Sequence, residues 1–170
     1  MSDALQAHFA RLFDCEARCT PLVIESLRAS KAKIEEVGLA ALVAPYERAV
    51  AVFCHTLAAR ELWLSRISKH AEFPADGVFP VWSLEKAERQ SRTIERLWRE
   101  YFEDLDESAL PRIVKYTSTE GVGYESVLAD ILTHVVNHSS YHRGQIALLI
   151  AQTGVKPAVT DFIALTREKA

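Results

Sequence analysis

Glycine and proline are scarce in this 170-residue chain, six of each, and most stretches carry neither. That scarcity excludes collagen-like and glycine-rich low-complexity character and leaves room for long regular helices. Cysteine is also rare. Cys15, Cys19 and Cys54 are an odd number, and none sits in the C-x-x-C spacing of a metal knuckle, a dithiol redox motif or a haem attachment site. "CEARC" puts Cys15 and Cys19 four apart, on one face of a helix, where free thiols behave as small hydrophobes. No apolar run approaches the roughly 18 residues that a membrane span needs. The opening "MSDALQAHFARLFD" lacks the basic segment and apolar run of a signal peptide. A net charge of −3 with both signs interspersed carries no polybasic footprint, so neither nucleic acid nor a membrane surface is expected as a partner. The expectation is a reduced, soluble, cytoplasmic protein folded as a single domain over residues 1–170.

What the chain does contain is helical periodicity. Leu84, Ala87, Ser91, Ile94, Trp98, Tyr101 and Leu105 recur in alternating steps of three and four, behind a plausible N-cap at Ser83 and a favourable Glu85. An earlier helix is expected from Leu5 to Arg28, bent at Pro21, and a second beginning after Pro45 and running to Ile67. "HAEFPADGVFPVW" clusters breakers and reads as a loop. "DESALPRIVKYTSTEGVGYE" is β-branched and contains two glycines, which suits a short hairpin. A last long helix is expected from Tyr124 to Thr153, stopped by Gly154 and Pro157. A short one follows in "TDFIALTREK", capped by Thr160 or Asp161. These elements predict an all-α four-helix bundle with one long crossover and a short C-terminal helix.

Within "ILTHVVNHSSYHRGQIALLI" (131–150), His134, His138 and His142 stand four residues apart, stacked along one side of a helix. The apolar stripe there runs Ile131, Val135, His138, His142, Ile146, Leu149. Two imidazoles thus occupy core positions, with His134 at the margin. In the second helix, His55 interrupts the row Val52, Ala59, Leu62. A buried imidazole is costly unless both nitrogens are satisfied. Neighbouring groups can satisfy such nitrogens, and so can one metal shared by histidines at i and i+4 and a third across the bundle. Periodicity leaves both readings open. It does exclude two schemes: the residue three before every histidine is not Glu, as di-iron bundles require, and H-E-x-x-H is absent.

"HVVNHSSYHRGQIALLI" resembles the signature tract of the DinB/YfiT-like family of metal-binding bundles. "FCHTLAARELWLSRI" is similar to that family's second helix, "VKYTSTEGVGYESVLADILTH" to its approach to the last long helix, and "PAVTDFIALTRE" to its tail. The N-terminal third departs from it, with "CEARC" where members often carry aromatic residues. The resemblance implies a four-helix bundle that holds a divalent metal, zinc or nickel, through His55, His138 and His142. His134, which has a counterpart in many members, is then either a neighbour of the ligands or a further ligand, and His8 and His70 have no role. Arg143 and Gln145 flank the ligands and could help orient a substrate, or serve in a salt bridge and an interhelical hydrogen bond. Gly144 costs about 1 kcal/mol against Ala inside a helix, which suggests close approach of a neighbouring helix. Asp161 could anchor a ligand imidazole or cap its own helix.

Three imidazoles on a divalent ion leave a coordination position for water or thiolate, the pattern of catalytic rather than structural sites. Two reaction types follow, hydrolysis and transfer by a low-molecular-weight thiol acting on a small-molecule substrate. The resemblance implies the second, since characterised relatives are similar to thiol-dependent S-transferases. The alternative is a non-catalytic metal-binding stress-response bundle, which a fourth protein ligand would indicate. Val50, Phe53, Leu57 and Leu64, off the histidine row of the second helix, suggest a further buried face and a homodimer.

Overall fold

Four long helices surround one apolar core in the computed structural model, which describes residues 4–69 and 71–168. The first, α1 (Ala4–Val37), runs nine residues beyond the expected end at Arg28. Nothing in "ASKAKIEEV" stops a helix. The stop comes at Gly38, whose φ of +68° takes the left-handed turn and whose N–H closes on the Ile34 carbonyl at 2.9 Å. Pro21 lies inside α1 on its exposed side and does not end it. After a single 3-10 turn, α2 (Val43–Ile67) starts two residues before Pro45. Proline fits that first turn because its missing N–H would have no helical partner there.

Helix α3 (Leu84–Asp104) is capped as expected, the Ser83 hydroxyl accepting the Lys86 N–H at 3.2 Å. Its buried residues are Leu84, Ala87, Ser91, Ile94, Trp98, Tyr101 and Phe102; all but Phe102 belong to the row read from the periodicity, whose last member, Leu105, is the half-buried C-cap. The excursion that follows is an antiparallel hairpin. In it β1 (Ile113–Thr117) pairs with β2 (Gly123–Val127), Ile113 opposite Val127 and Thr117 opposite Gly123. Residues 124–127 therefore belong to a strand, not to the last long helix. Tyr124 pairs with Tyr116 and β2 holds its register up to Val127, so α4 (Leu128–Gln152) begins four residues later than expected. The hairpin base then supplies what a side-chain cap would. The N–H groups of Leu128 and Ala129 donate to the carbonyls of Arg112 and Leu110 at 2.9 and 3.1 Å. Gly154, with φ of +79°, follows α4. The tail ends in α5 (Phe162–Thr166), where Asp161 sits at the N-cap position but makes no side-chain capping bond.

Helix α2 packs chiefly on α4 and also touches α1 and α3. That placement accounts for its broad apolar surface. Val50, Phe53, Leu57 and Leu64 are all buried within this chain, Leu64 completely, so their spread around the helix is no evidence for a partner. Gly144 corrects another expectation. A Cβ built there meets nothing within 4 Å, because the residue is exposed along an open groove between α4 and the tail and not at a helix crossing. The three cysteines are free and buried, and burial pushes the Cys19 thiol up to about 12, an inert setting. Among the described residues, no helix is long and apolar enough to cross a membrane.

Candidate functional site

The α2–α4 contact brings three imidazoles together. His55 projects from α2, and His138 and His142 from successive turns of α4. One ring nitrogen of each lies within 4.8 Å of the others. All three rings are half-buried, and their centroids are 4.4 to 5.2 Å apart in edge-to-face arrangements. The Nε2 atoms of His138 and His142 are 3.1 Å apart.

Two of the rings are held in one tautomer. His55 Nδ1 lies 2.7 Å from the Val78 carbonyl oxygen, which can only accept, so Nδ1 carries the proton and Nε2 is bare. His142 Nδ1 donates in the same way to Gln145 Oε1 at 2.8 Å, which also leaves its Nε2 bare. Imidazoles that bind metals are oriented by just such a hydrogen bond from the other nitrogen. Burial, and then the neighbouring His142, His55 and His134, push the pKa of His138 down to about 4. Burial likewise lowers that of His142, opposed by its bond to Gln145. Neutral rings are the metal-binding form, and burial favours that form in His138 and His142. No fourth histidine, cysteine or carboxylate joins the cluster among the described residues.

The loop between α2 and α3 forms one side of the site. Phe79 stacks on His55 with centroids 4.6 Å apart and planes 8° from parallel, while staying 76% exposed. Tyr141, also exposed, meets the edge of His142 at 5.2 Å. Two exposed aromatic rings therefore flank the three imidazoles.

A model of the DinB family matches residues 1–169. The chain belongs to the DinB family. It is 42% identical over 38 residues to Protein DinB of Bacillus subtilis (strain 168), a stretch covering 22% of each chain. No solved structure matches the chain.

Several residues named from the sequence find other surroundings in this DinB-family chain. His134 stays outside the cluster. Its ring is exposed, 5.6 Å from that of His138, and meets Trp63 edge-on at 5.2 Å. Arg143 turns away from the histidines to pair with Glu16 of α1, the two side chains only 13% and 5% exposed. It is thus placed to tie helices together and not to touch a substrate at the three rings. Gln145 does reach the site, as the acceptor for His142. Asp161 lies along the groove between α4 and the tail, and the two oriented imidazoles use Val78 and Gln145 instead. His8 is exposed, and His70 lies outside the described residues. Sequence reasoning missed Val78 and Phe79 altogether. No signal marked them, since an unspecific backbone carbonyl and an aromatic in a breaker-rich loop become site residues only once the loop folds over α2.

Proposed function

We propose that His55, His138 and His142 hold one divalent metal ion, zinc or nickel, and that the protein is a metal-dependent enzyme acting on a small molecule. The observation that carries this reading is the convergence of three imidazoles with two bare Nε2 atoms oriented by Val78 and Gln145. A divalent ion on three neutral ligands keeps its full charge and an open position, and there it lowers the pKa of a bound water or thiol. The protein's own contribution is to favour the neutral form of His138 and His142 by burial, fix the tautomers of His55 and His142, and flank the rings with Phe79 and Tyr141. Those flanking aromatic rings suit the body of an organic thiol or electrophile better than a bare inorganic ion. A thiol-dependent S-transferase is therefore the favoured reaction and hydrolysis the second. Three buried free cysteines accord with a reducing, cytoplasmic setting.

Cobalt-substituted protein tests the reaction. Addition of a low-molecular-weight thiol should produce a sulfur-to-metal charge-transfer band, stronger as pH rises, and a His55→Ala variant should show neither the band nor transfer to an electrophile. A spectrum unmoved by thiol, with hydrolytic activity present, replaces the transferase by a hydrolase. A spectrum unmoved by any exogenous ligand leaves the non-catalytic metal-binding bundle.

The reading includes a homodimer. Leu148 of α4 is 64% exposed, an apolar side chain that a two-fold contact would cover. Light scattering at micromolar concentration should give about twice the 19.1 kDa chain mass, and Leu148→Glu should return it to the monomer value. A monomeric mass for the unmodified protein ends this part of the reading.

A further inference from the structure

Arg60, five residues along α2 from His55, is only 3% exposed, and its Nε has no hydrogen-bond partner. Among the described residues no carboxylate comes within ion-pair distance of its guanidinium, and Glu16 and Glu95 act on it only as charges farther off. Glu16 is already engaged by Arg143. Two buried guanidinium groups therefore share one buried carboxylate. Glu95 of α3 is half-buried, and its own Oε1 lacks a partner. A buried cation without a bonded counter-charge is expensive, and buried polar groups in native proteins are nearly always satisfied.

Arg60 borders a cavity of about 270 Å³ that reaches between α1 and α3. The apolar wall is a cluster of Phe13, Trp98 and Phe102, with Phe13 centroids 4.3 and 4.8 Å from the other two. Trp98 Nε1 is a second buried donor without a partner. None of the three clustered histidines lines this cavity, so it is independent of the metal reading. Its volume lies just below the usual range for small-molecule sites of roughly 300–1,000 Å³, which calls for a small ligand. Arg60 and Arg99 share the lining with Asp14, Glu95 and Glu103, and three carboxylates against two guanidinium groups disfavour a dianion such as phosphate more than a single negative charge placed on Arg60.

We propose that this cavity binds a small aromatic monocarboxylic acid, its carboxylate on Arg60 and its ring against Phe13, Trp98 and Phe102. The guanidinium fork matches a carboxylate, and the aromatic wall takes the ring in offset or edge-on contacts. The bound acid supplies the carboxylate that the protein does not place beside Arg60.

Phenylacetate is the probe, added to the full-length protein while the indole N–H resonances are followed by NMR and Trp98 is assigned with Trp98→Phe. A saturable shift of the Trp98 signal is expected. 2-Phenylethanol, the same ring without the charge, should bind at least about tenfold more weakly, and inorganic phosphate should leave the signal in place. Ala17→Leu adds a side chain to the cavity wall without touching any charge and should abolish the phenylacetate shift. Arg60→Met should do the same. If that variant does not fold, Ala17→Leu and the neutral analogue still decide. The proposal is overturned if the Trp98 signal does not respond, if 2-phenylethanol binds as tightly as phenylacetate, or if Ala17→Leu binds normally.

Discussion

His138→Ala should abolish tight divalent-metal binding, and so should His55→Ala and His142→Ala, each with a loss of more than about 100-fold. That figure is a lower bound, since losing a partner that merely orients a ligand already costs about 10–100-fold. Gln145→Ala should fall within that smaller range, because Gln145 only fixes the His142 tautomer. His134→Ala should cost less still, its ring being exposed and outside the converging set. Metal content after dialysis, followed by titration calorimetry, separates the cases. If His134→Ala strips the metal while His142→Ala keeps it, the assignment is displaced by one helical turn.

The same ring carries a pH dependence in the metal-free protein. Burial holds the His138 pKa at about 4, below the ordinary value near 6.5. Between those values the unfolded chain binds a proton that the folded chain refuses. Stability from this group is thus fully present above about pH 6.5 and is lost as pH falls toward 4. The urea midpoint of metal-free protein should drop across that window, and the drop should be smaller in His138→Ala. Equal drops in the two proteins would show that His138 is not the titrating group.

Glu16→Gln should be among the most damaging single substitutions, at about 3–5 kcal/mol, the usual cost of breaking a buried ion pair by removing one partner. Glu16 is the fully buried carboxylate that faces Arg143 directly and Arg60 at longer range. Its amide would leave two guanidinium groups without a buried counter-charge. Arg143→Met should cost less, because the Glu16 carboxylate still faces the charge of Arg60 at longer range. That asymmetry is the useful part of the prediction. A simple isolated pair would give similar losses from either side, whereas a carboxylate shared by two cations would not. Urea denaturation of the two variants decides it, and a larger loss for Arg143→Met than for Glu16→Gln would contradict the sharing.

Much of this protein was legible in one dimension because helical periodicity is a local property. The α3 stripe from Leu84 to Tyr101 and its Ser83 cap needed only neighbours within a turn or two. So did the placement of His138 and His142 on the core side of α4 and of His55 on that of α2, since a residue's side of a helix follows from its position in the repeat. Element ends were less legible. The first helix stops at Gly38, where a glycine takes the left-handed turn, and not at Arg28. The start of α4 at Leu128 is set by pairing of β2 with β1, a choice between strand and helix that β-branched and aromatic residues leave open until a partner strand is beside them.

Long-range meetings lay beyond any local signal. Arg143 stands one residue from His142, yet it points to Glu16, 127 positions away. Successive residues on a helix are about 100° apart, so adjacency in the chain separates side chains. Val78 reaches His55, and Phe79 covers it, because the loop after α2 folds back over its own helix. The apolar breadth of α2, suggestive of a partner chain, is spent on α1, α3 and α4. Composition says how much surface must be buried, and packing alone says against what: burial is driven by area without regard to which chain supplies the covering.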